Sequence, residues 1–330
     1  MAIDLNYNGT SNRRILAGGV SGGMFLSTDD GATWQMTTTL AQFSSATCLV
    51  QDPTNRNTWY YGTGEFSGST RAGGRGIPGQ GIFKSTDGGV TWSQLPATLG
   101  SSATQFDNVF DFVWNLAFRP QSSAIFAATL GSIQRSTNNG DSWTALLVGQ
   151  DTNNFLSLFS DVAIAANGDV YATLSRNGLN LTNQQYGVFR STNGGNQFTV
   201  ISPPGLSSDP YRMVLATAPS EANTLYLLVQ ANANGAVAAD HQLFRYNAAN
   251  NSWTDLSAGL PNAQGLKGNA SFSSQGGYDL IVKVQPDNAN TVWIGGTNLY
   301  RSTNGGQNFT LVGGYRSPNT YAQFDNHHSD

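Results

Sequence analysis

Short apolar-polar alternations separated by clusters of Asn, Asp and Gly recur along the whole chain, and the last copy shows the unit most clearly. Tyr278-Asp-Leu-Ile-Val-Lys-Val284 alternates with the two-residue period of a half-buried strand. Asp287-Asn-Ala-Asn290 is a turn cluster, Thr291-Val-Trp-Ile-Gly295 a second strand, Asn298-Leu-Tyr-Arg301 a third and Asn308-Phe-Thr-Leu-Val312 a fourth. Earlier segments follow the same scheme, with Gly168-Asp-Val-Tyr-Ala-Thr173 before Gly187-Val-Phe-Arg190, and Asn223-Thr-Leu-Tyr-Leu-Leu228 before Gln242-Leu-Phe-Arg245. No stretch sustains a 3.6-residue apolar period, so helix is expected to be scarce.

Between the third and fourth strands of each copy sits one short phrase. It reads Ser27-Thr-Asp-Asp-Gly-Ala-Thr-Trp34, Ser85-Thr-Asp-Gly-Gly-Val-Thr-Trp92, Ser136-Thr-Asn-Asn-Gly-Asp-Ser-Trp143, Ser191-Thr-Asn-Gly-Gly-Asn-Gln-Phe198 and Ser302-Thr-Asn-Gly-Gly-Gln-Asn-Phe309. A degraded copy, Tyr246-Asn-Ala-Ala-Asn-Asn-Ser-Trp253, completes six. The period is about 55 residues, and four antiparallel strands per period make one propeller blade. In this phrase Ser and Asp or Asn bond nearby backbone groups, Gly permits a positive φ, and the closing aromatic anchors the turn. A recurring Asp also suggests catalysis or calcium binding. Three copies carry Asn and one carries Ala248, which a catalytic role would not tolerate, so the phrase reads as structural.

The phrase resembles the Asp-box, or bacterial neuraminidase repeat, of sialidases, xyloglucan-degrading glycoside hydrolases, sortilin-like receptors and photosystem assembly factors. The resemblance runs through the chain and implies an all-β fold: a single β-propeller of four-stranded antiparallel blades over residues 1–330. Six phrases predict six blades; seven would need a repeat hidden in the longer loops or outside the chain. Met1-Ala-Ile-Asp-Leu5 parallels Leu49-Val-Gln-Asp-Pro53, so the first strand reads as trimmed, with the tail supplying or approaching its missing part. The expectation is one monomeric domain of a longer bacterial protein, secreted or at the cell surface.

Composition narrows the partners. Only 11% of the 330 residues are charged, the formal net charge is −4, and the lysines are Lys84, Lys267 and Lys283. No basic surface for nucleic acid or anionic lipid is evident, and no apolar run approaches a membrane span. The lone cysteine, Cys48, cannot form an internal disulfide and reads as a buried strand position. No cofactor or metal site is implied.

Strand direction alternates within a blade, so the long connections all fall at one end: Gly62 to Gly81, Pro96 to Asp107, Val148 to Leu158, Ser175 to Tyr186, Pro203 to Arg212, Gln230 to His241, Ala258 to Gly277, and the tail from Gly313. Long loops gathered on a rigid scaffold are where binding usually occurs. The Gly-rich loop 62–81 carries Glu65, one of two glutamates, with Arg71 and Arg75. It lacks the Gly-Lys-Ser/Thr of a phosphate loop, and a lid or a Glu65 ion pair with either arginine is the alternative to a ligand contact. Asp107 and Asp111 suit flanking a sugar with Trp114 stacked on it, or else this loop closes its aromatics over the core. Tyr211, Arg212 and His241 are further candidate ligand contacts on the looped end. Asp240-His241 and His327-His-Ser-Asp330 hold every histidine and read as solvated loop rather than a metal site.

The resemblance does not carry an activity across. Sialidases need an arginine triad and a Phe/Tyr-Arg-Ile-Pro motif, where this chain has Arg13-Arg-Ile-Leu16. The catalytic Asp of xyloglucan-degrading relatives falls on Val20, which cannot transfer a proton, and those enzymes complete their cleft with a second propeller. The expectation is therefore a non-catalytic binding or scaffold module presenting its looped face to a glycan or protein partner. The alternative is a glycoside hydrolase or lyase acting on a polysaccharide through Glu65, Asp107 or Asp111; a structural spacer is a third reading.

Overall fold

The computed structural model describes every residue except 20–21, 40–41, 43–44, 66–75, 103–104, 151–155, 177–184, 232–237, 263–271, 318–319 and 322–330. The fold is all-β, six blades of four antiparallel strands each. Blade 1 is β1 (Ala2–Ile3), β2 (Ile15–Gly19), β3 (Gly23–Ser27) and β4 (Gln35–Met36); blade 2 is β5 (Ala46–Gln51), β6 (Trp59–Thr63), β7 (Ile82–Ser85) and β8 (Ser93–Gln94). Blade 3 is β9 (Val113–Phe118), β10 (Ile125–Thr129), β11 (Ser132–Ser136) and β12 (Thr144–Val148); blade 4 is β13 (Ser160–Ile164), β14 (Val170–Leu174), β15 (Gly187–Ser191) and β16 (Thr199–Val200). Blade 5 is β17 (Arg212–Ala218), β18 (Glu221–Gln230), β19 (His241–Asn247) and β20 (Ser252–Asp255); blade 6 is β21 (Ile281–Gln285), β22 (Asn288–Gly295), β23 (Leu299–Ser302) and β24 (Thr310–Gly313). Helical structure among the described residues is confined to short 3-10 turns such as Pro96–Thr98 and Val109–Asp111.

The chain divides into two compact units, one holding blades 1 to 3 and the other blades 4 to 6. In each unit the core is a set of layers between successive blades. Trp59 and Tyr61 of β6 face one layer, with Leu16, Met24, Phe83 and Trp92. The alternate residue Tyr60 faces the next, with Ile82, Val113, Leu116 and Ile125. A second strand covered on both faces favours apolar residues, and β6, β10 and β14 are buried at every position, their threonines Thr63, Thr129 and Thr173 included. The second unit repeats the arrangement, with Leu215, Leu227 and Phe244 in one layer and Leu228, Val282 and Ile294 in the next.

The repeated phrases close the turns between third and fourth strands. In blade 2 the Ser85 hydroxyl donates to Asp87 Oδ1 at 2.8 Å and accepts the Gly89 N–H at 2.8 Å. Asp87 in turn accepts the N–H and hydroxyl of Thr91, at 2.9 and 2.6 Å. Asn138 in blade 3 accepts from Ser142 N–H at 3.0 Å and donates to its hydroxyl at 2.9 Å, so an amide keeps both bonds to the residue four positions on. Gly89 sits at φ +88°, and a Cβ there would run into Leu16 of the preceding blade, so glycine serves both the turn and blade packing.

Several expectations are corrected. The strand expected from Tyr278 begins at Ile281, and the expected turn 287–290 is already strand from Asn288. Cys48 is half-buried in β5, with its Sγ 3.7 Å from the Val113 carbonyl. Trp34 does not anchor its turn inside the blade: it is 41% exposed and donates to Gly31 O of its own turn at 3.0 Å, whereas Trp92 is 4% exposed. The tail strands Tyr315–Ser317 and Thr320–Tyr321 pair with each other, and β1 pairs with β2. His327 and His328 lie outside the described residues.

Candidate functional site

In every blade the connections between second and third strands, and the departures from the fourth, lie at the end opposite the phrase turns. Among the described residues, the long segments at this end of the first unit include 64–65, 76–81, 95–102 and 105–112, and those at the corresponding end of the second unit's blades include 201–211, 256–262 and 272–280. Val20, Arg71 and Arg75 fall outside the described residues.

In the first unit, two segments at this end are laced together by backbone. Glu65 and Ile77 exchange N–H to carbonyl bonds at 2.9 and 2.6 Å, and Gly79 N–H donates to the Asp111 carbonyl at 2.8 Å. Gly64, at φ +109°, lies so close to the Asp111 carbonyl that a Cβ could not be accommodated. The Glu65 carboxylate is half-buried and accepts from the Ser45 hydroxyl at 3.3 Å.

Asp107 and Asp111 part company. Asp107 is exposed and bends back to accept the Ser101 N–H at 3.2 Å, with the Ser101 hydroxyl donating to its second oxygen. Asp111 is 1% exposed, and its Oδ2 accepts the N–H groups of Asp107 and Asn108, each at 2.8 Å. Burial pushes the Asp111 pKa up, those two N–H groups oppose the shift, and the Asp107 charge adds to it. The first oxygens of both side chains crowd Gly100, at 2.5 and 3.1 Å from where a Cβ would stand.

Gly100 lines a cleft of about 270 Å³ together with Leu99, Ser102, Gly79, Phe83 and the three glutamines Gln42, Gln80 and Gln94. Gln94 donates to the Gln80 carbonyl at 2.6 Å, and Gln42 donates to the Trp92 carbonyl. Three nearly parallel rings follow this loop in the chain. Phe112 stacks on Trp114 at 5.0 Å and 8°, and Phe106 stacks on Phe112 at 4.8 Å and 22°. Trp114 is thus half-buried at the base of a stack, and Phe106, which the sequence did not single out, is its exposed end.

The second unit brings Tyr211, Arg212 and His241 together, largely buried. Arg212, Gln230 and His241 face one another across three adjacent strands. Arg212 donates to the carbonyls of Gly277 and Tyr278, the latter at 2.9 Å, and its guanidinium lies 5.2 Å from the Phe159 ring centre. Burial lowers its pKa, against the opposing charges of Asp161 and Asp279. His241 is 3% exposed, lies 2.7 Å from Ser274 Oγ and meets Phe272 edge-on, while Tyr211 is 2% exposed against Phe159. Ser274 donates to Gln230 at 3.3 Å. Polar residues inside apolar strands, such as Asp161 in Ser160-Asp-Val-Ala-Ile164, were the sequence signal for this network.

No family model matches the chain. A curated xyloglucanase from a Paenibacillus species is 29% identical over 217 residues, covering 58% of this chain and 19% of that protein. Among solved structures, the GH74 xyloglucanase from Xanthomonas campestris gives a TM-score of 0.61 at 17% identity, over 93% of this chain and 44% of that one. YCF48 bound to D1 peptide gives 0.52 at 17% identity, over 94% and 86%. The chain thus spans about a fifth of the length of the curated relative it matches. Together with the six four-stranded blades, these likenesses identify the fold as a β-propeller.

Proposed function

We propose that the chain is a glycan-binding β-propeller module of a secreted or cell-surface bacterial protein, and that its first unit binds at the looped end. The observation that carries this reading is one loop that lines a cleft with Gln42, Gln80 and Gln94 through Leu99, Gly100 and Ser102 and then carries Phe106, the exposed end of the Phe106, Phe112 and Trp114 stack. Amides exchange hydrogen bonds with sugar hydroxyls, and ring faces cover the apolar face of a pyranose. Similarity to a xyloglucanase supports the choice of a carbohydrate. Isothermal titration of the intact chain against xyloglucan, xylan, galactomannan and cello-oligosaccharides tests it: saturable binding to at least one, weakened by Gln80→Ala with Gln94→Ala, is expected. No binding to any of them sinks it.

The second reading, a glycoside hydrolase, is favoured by one observation: the raised pKa of Asp111, which keeps a carboxyl protonated toward higher pH as a general acid requires. Its two backbone N–H bonds and its burial weigh toward a structural role. Reducing-sugar release from the same polysaccharides, abolished by Asp111→Asn or Glu65→Gln in a folded chain, would establish the enzyme. Absence of release would leave the binding module.

A further inference from the structure

We infer that Phe106 is the stacking platform of the site, presenting its outer face to the apolar face of an uncharged pyranose, and that Phe112 and Trp114 brace it without touching the ligand. This rests on the glycan-binding reading above and names the residue and ligand class that reading leaves open.

Four features lead there. Phe106 is 47% exposed while the ring beneath it, Phe112, is 2% exposed, so the stack ends at the surface in one flat aromatic face. The near-parallel alignment, 22° and then 8°, fixes the orientation of that face before any ligand arrives, which lowers the ordering cost of binding. Glycine at position 76 makes room for it: a Cβ there would stand 2.6 Å from Phe112 Cζ and 2.9 Å from Phe106 Cζ. The next residue, Asp107, is held by Ser101 within the loop whose Leu99, Gly100 and Ser102 line the cleft, so the platform and the cleft belong to one folded loop.

Charge selects the ligand class. The charged side chains described at this end of the first unit are Glu65, Asp107 and Asp111, all acidic. Asp107 is exposed directly beside the platform, so a uronate or sialate carboxylate would meet like charge, whereas a neutral ring would not.

The test titrates the intact chain and four variants with neutral oligosaccharides (cello-, xylo-, manno- and xyloglucan-derived) and with oligogalacturonate. Phe106→Ala and Phe106→Leu are expected to raise Kd at least tenfold, since leucine restores apolar area but not a flat ring, while Phe106→Trp stays within about threefold. Because about half of the side chain is exposed, the thermal midpoints of the three Phe106 variants should stay within a few degrees of the parent. Oligogalacturonate should bind the parent at least tenfold more weakly than the neutral ligands, and Asp107→Asn should narrow that gap. Neutral binding by the parent that Phe106→Ala leaves unchanged overturns the platform while the glycan reading stands. No glycan binding by the parent overturns both, and tighter binding of oligogalacturonate overturns the ligand class.

Discussion

The backbone N–H of Asp107 donates to Asp111 Oδ2 at 2.8 Å, so one carboxylate folds the loop that exposes the other. Asp111 also closes a reciprocal cap with Asn108, whose side chain accepts the Phe110 N–H at 3.0 Å. The two carboxylates therefore divide their labour: the inner one shapes the loop and the outer one meets solvent beside Phe106.

A pH signature follows for Asp111. Its folded pKa is raised above the unfolded value, so its contribution to stability is full below about pH 4 and is lost as pH rises through the folded value. Urea midpoints of the parent and Asp111→Asn, compared from about pH 4 to 7, should diverge, with the parent losing stability relative to the variant as pH rises. Parallel curves would show that burial does not perturb this carboxyl.

The phrase turns predict the opposite sign. Asp29 is held down to about 2 by the hydroxyl and N–H of Thr33. Asp87 is also lowered, because the Thr91 and Ser85 bonds outweigh its partial burial. Their contribution is present above the unfolded carboxylate pKa and is lost as pH falls through the folded value, so Asp87→Asn should flatten the acid limb of the stability curve. At neutral pH the cost should stay within about 0.5 kcal/mol, since Asn138 makes the equivalent bonds to the N–H and hydroxyl of the residue four positions on.

Ser85→Ala should cost more, about 2 kcal/mol, because it strands the buried Gly89 N–H. Chemical denaturation of both variants checks the contrast. Equal costs would mean that the carboxylate, not the serine, holds the turn.

Gly64→Ala should destabilise the chain by about 3 kcal/mol, through a φ of +109° and collision with the Asp111 carbonyl. If the protein folds, its glycan affinity should fall as well, because Gly64, with Glu65 and residues 76–81, packs against the loop that carries Phe106. Unchanged stability would contradict the close approach.

In the second unit, Arg212→Met should cost about 3 kcal/mol, leaving the Gly277 and Tyr278 carbonyls and the Asp161 and Asp279 charges without the guanidinium. Thermal unfolding measures it, and glycan affinity at the first unit should not change. A variant as stable as the parent would contradict a structural role for the guanidinium.

The architecture was legible because the phrase must satisfy the same turn in each blade. Its Ser, Asp or Asn and Gly each have a local bonding reason that spacing alone reveals. Strand ends were less legible, as at Asn288, where a polar run reads as a turn although backbone pairing continues it into β22. Trp34 misled because an aromatic signals burial, and only tertiary context distinguishes it from Trp92. At the candidate site the carboxylates stood out by charge, yet the exposure that separates Asp107 from Asp111 depends on how one loop folds back on itself. Phe106 passed unnoticed because its meaning comes from Phe112 and Trp114 stacking behind it, a relationship no periodicity encodes.

The central claim, that the looped end of the first unit holds a glycan, is tested most directly by hydrogen–deuterium exchange of the intact chain with and without a saturating neutral oligosaccharide. Slowed exchange concentrated in residues 76–81 and 99–114, with the phrase turns at Ser27, Ser85 and Ser136 unchanged, is the predicted result. Slowed exchange confined to those turns, or to the second unit, would contradict it.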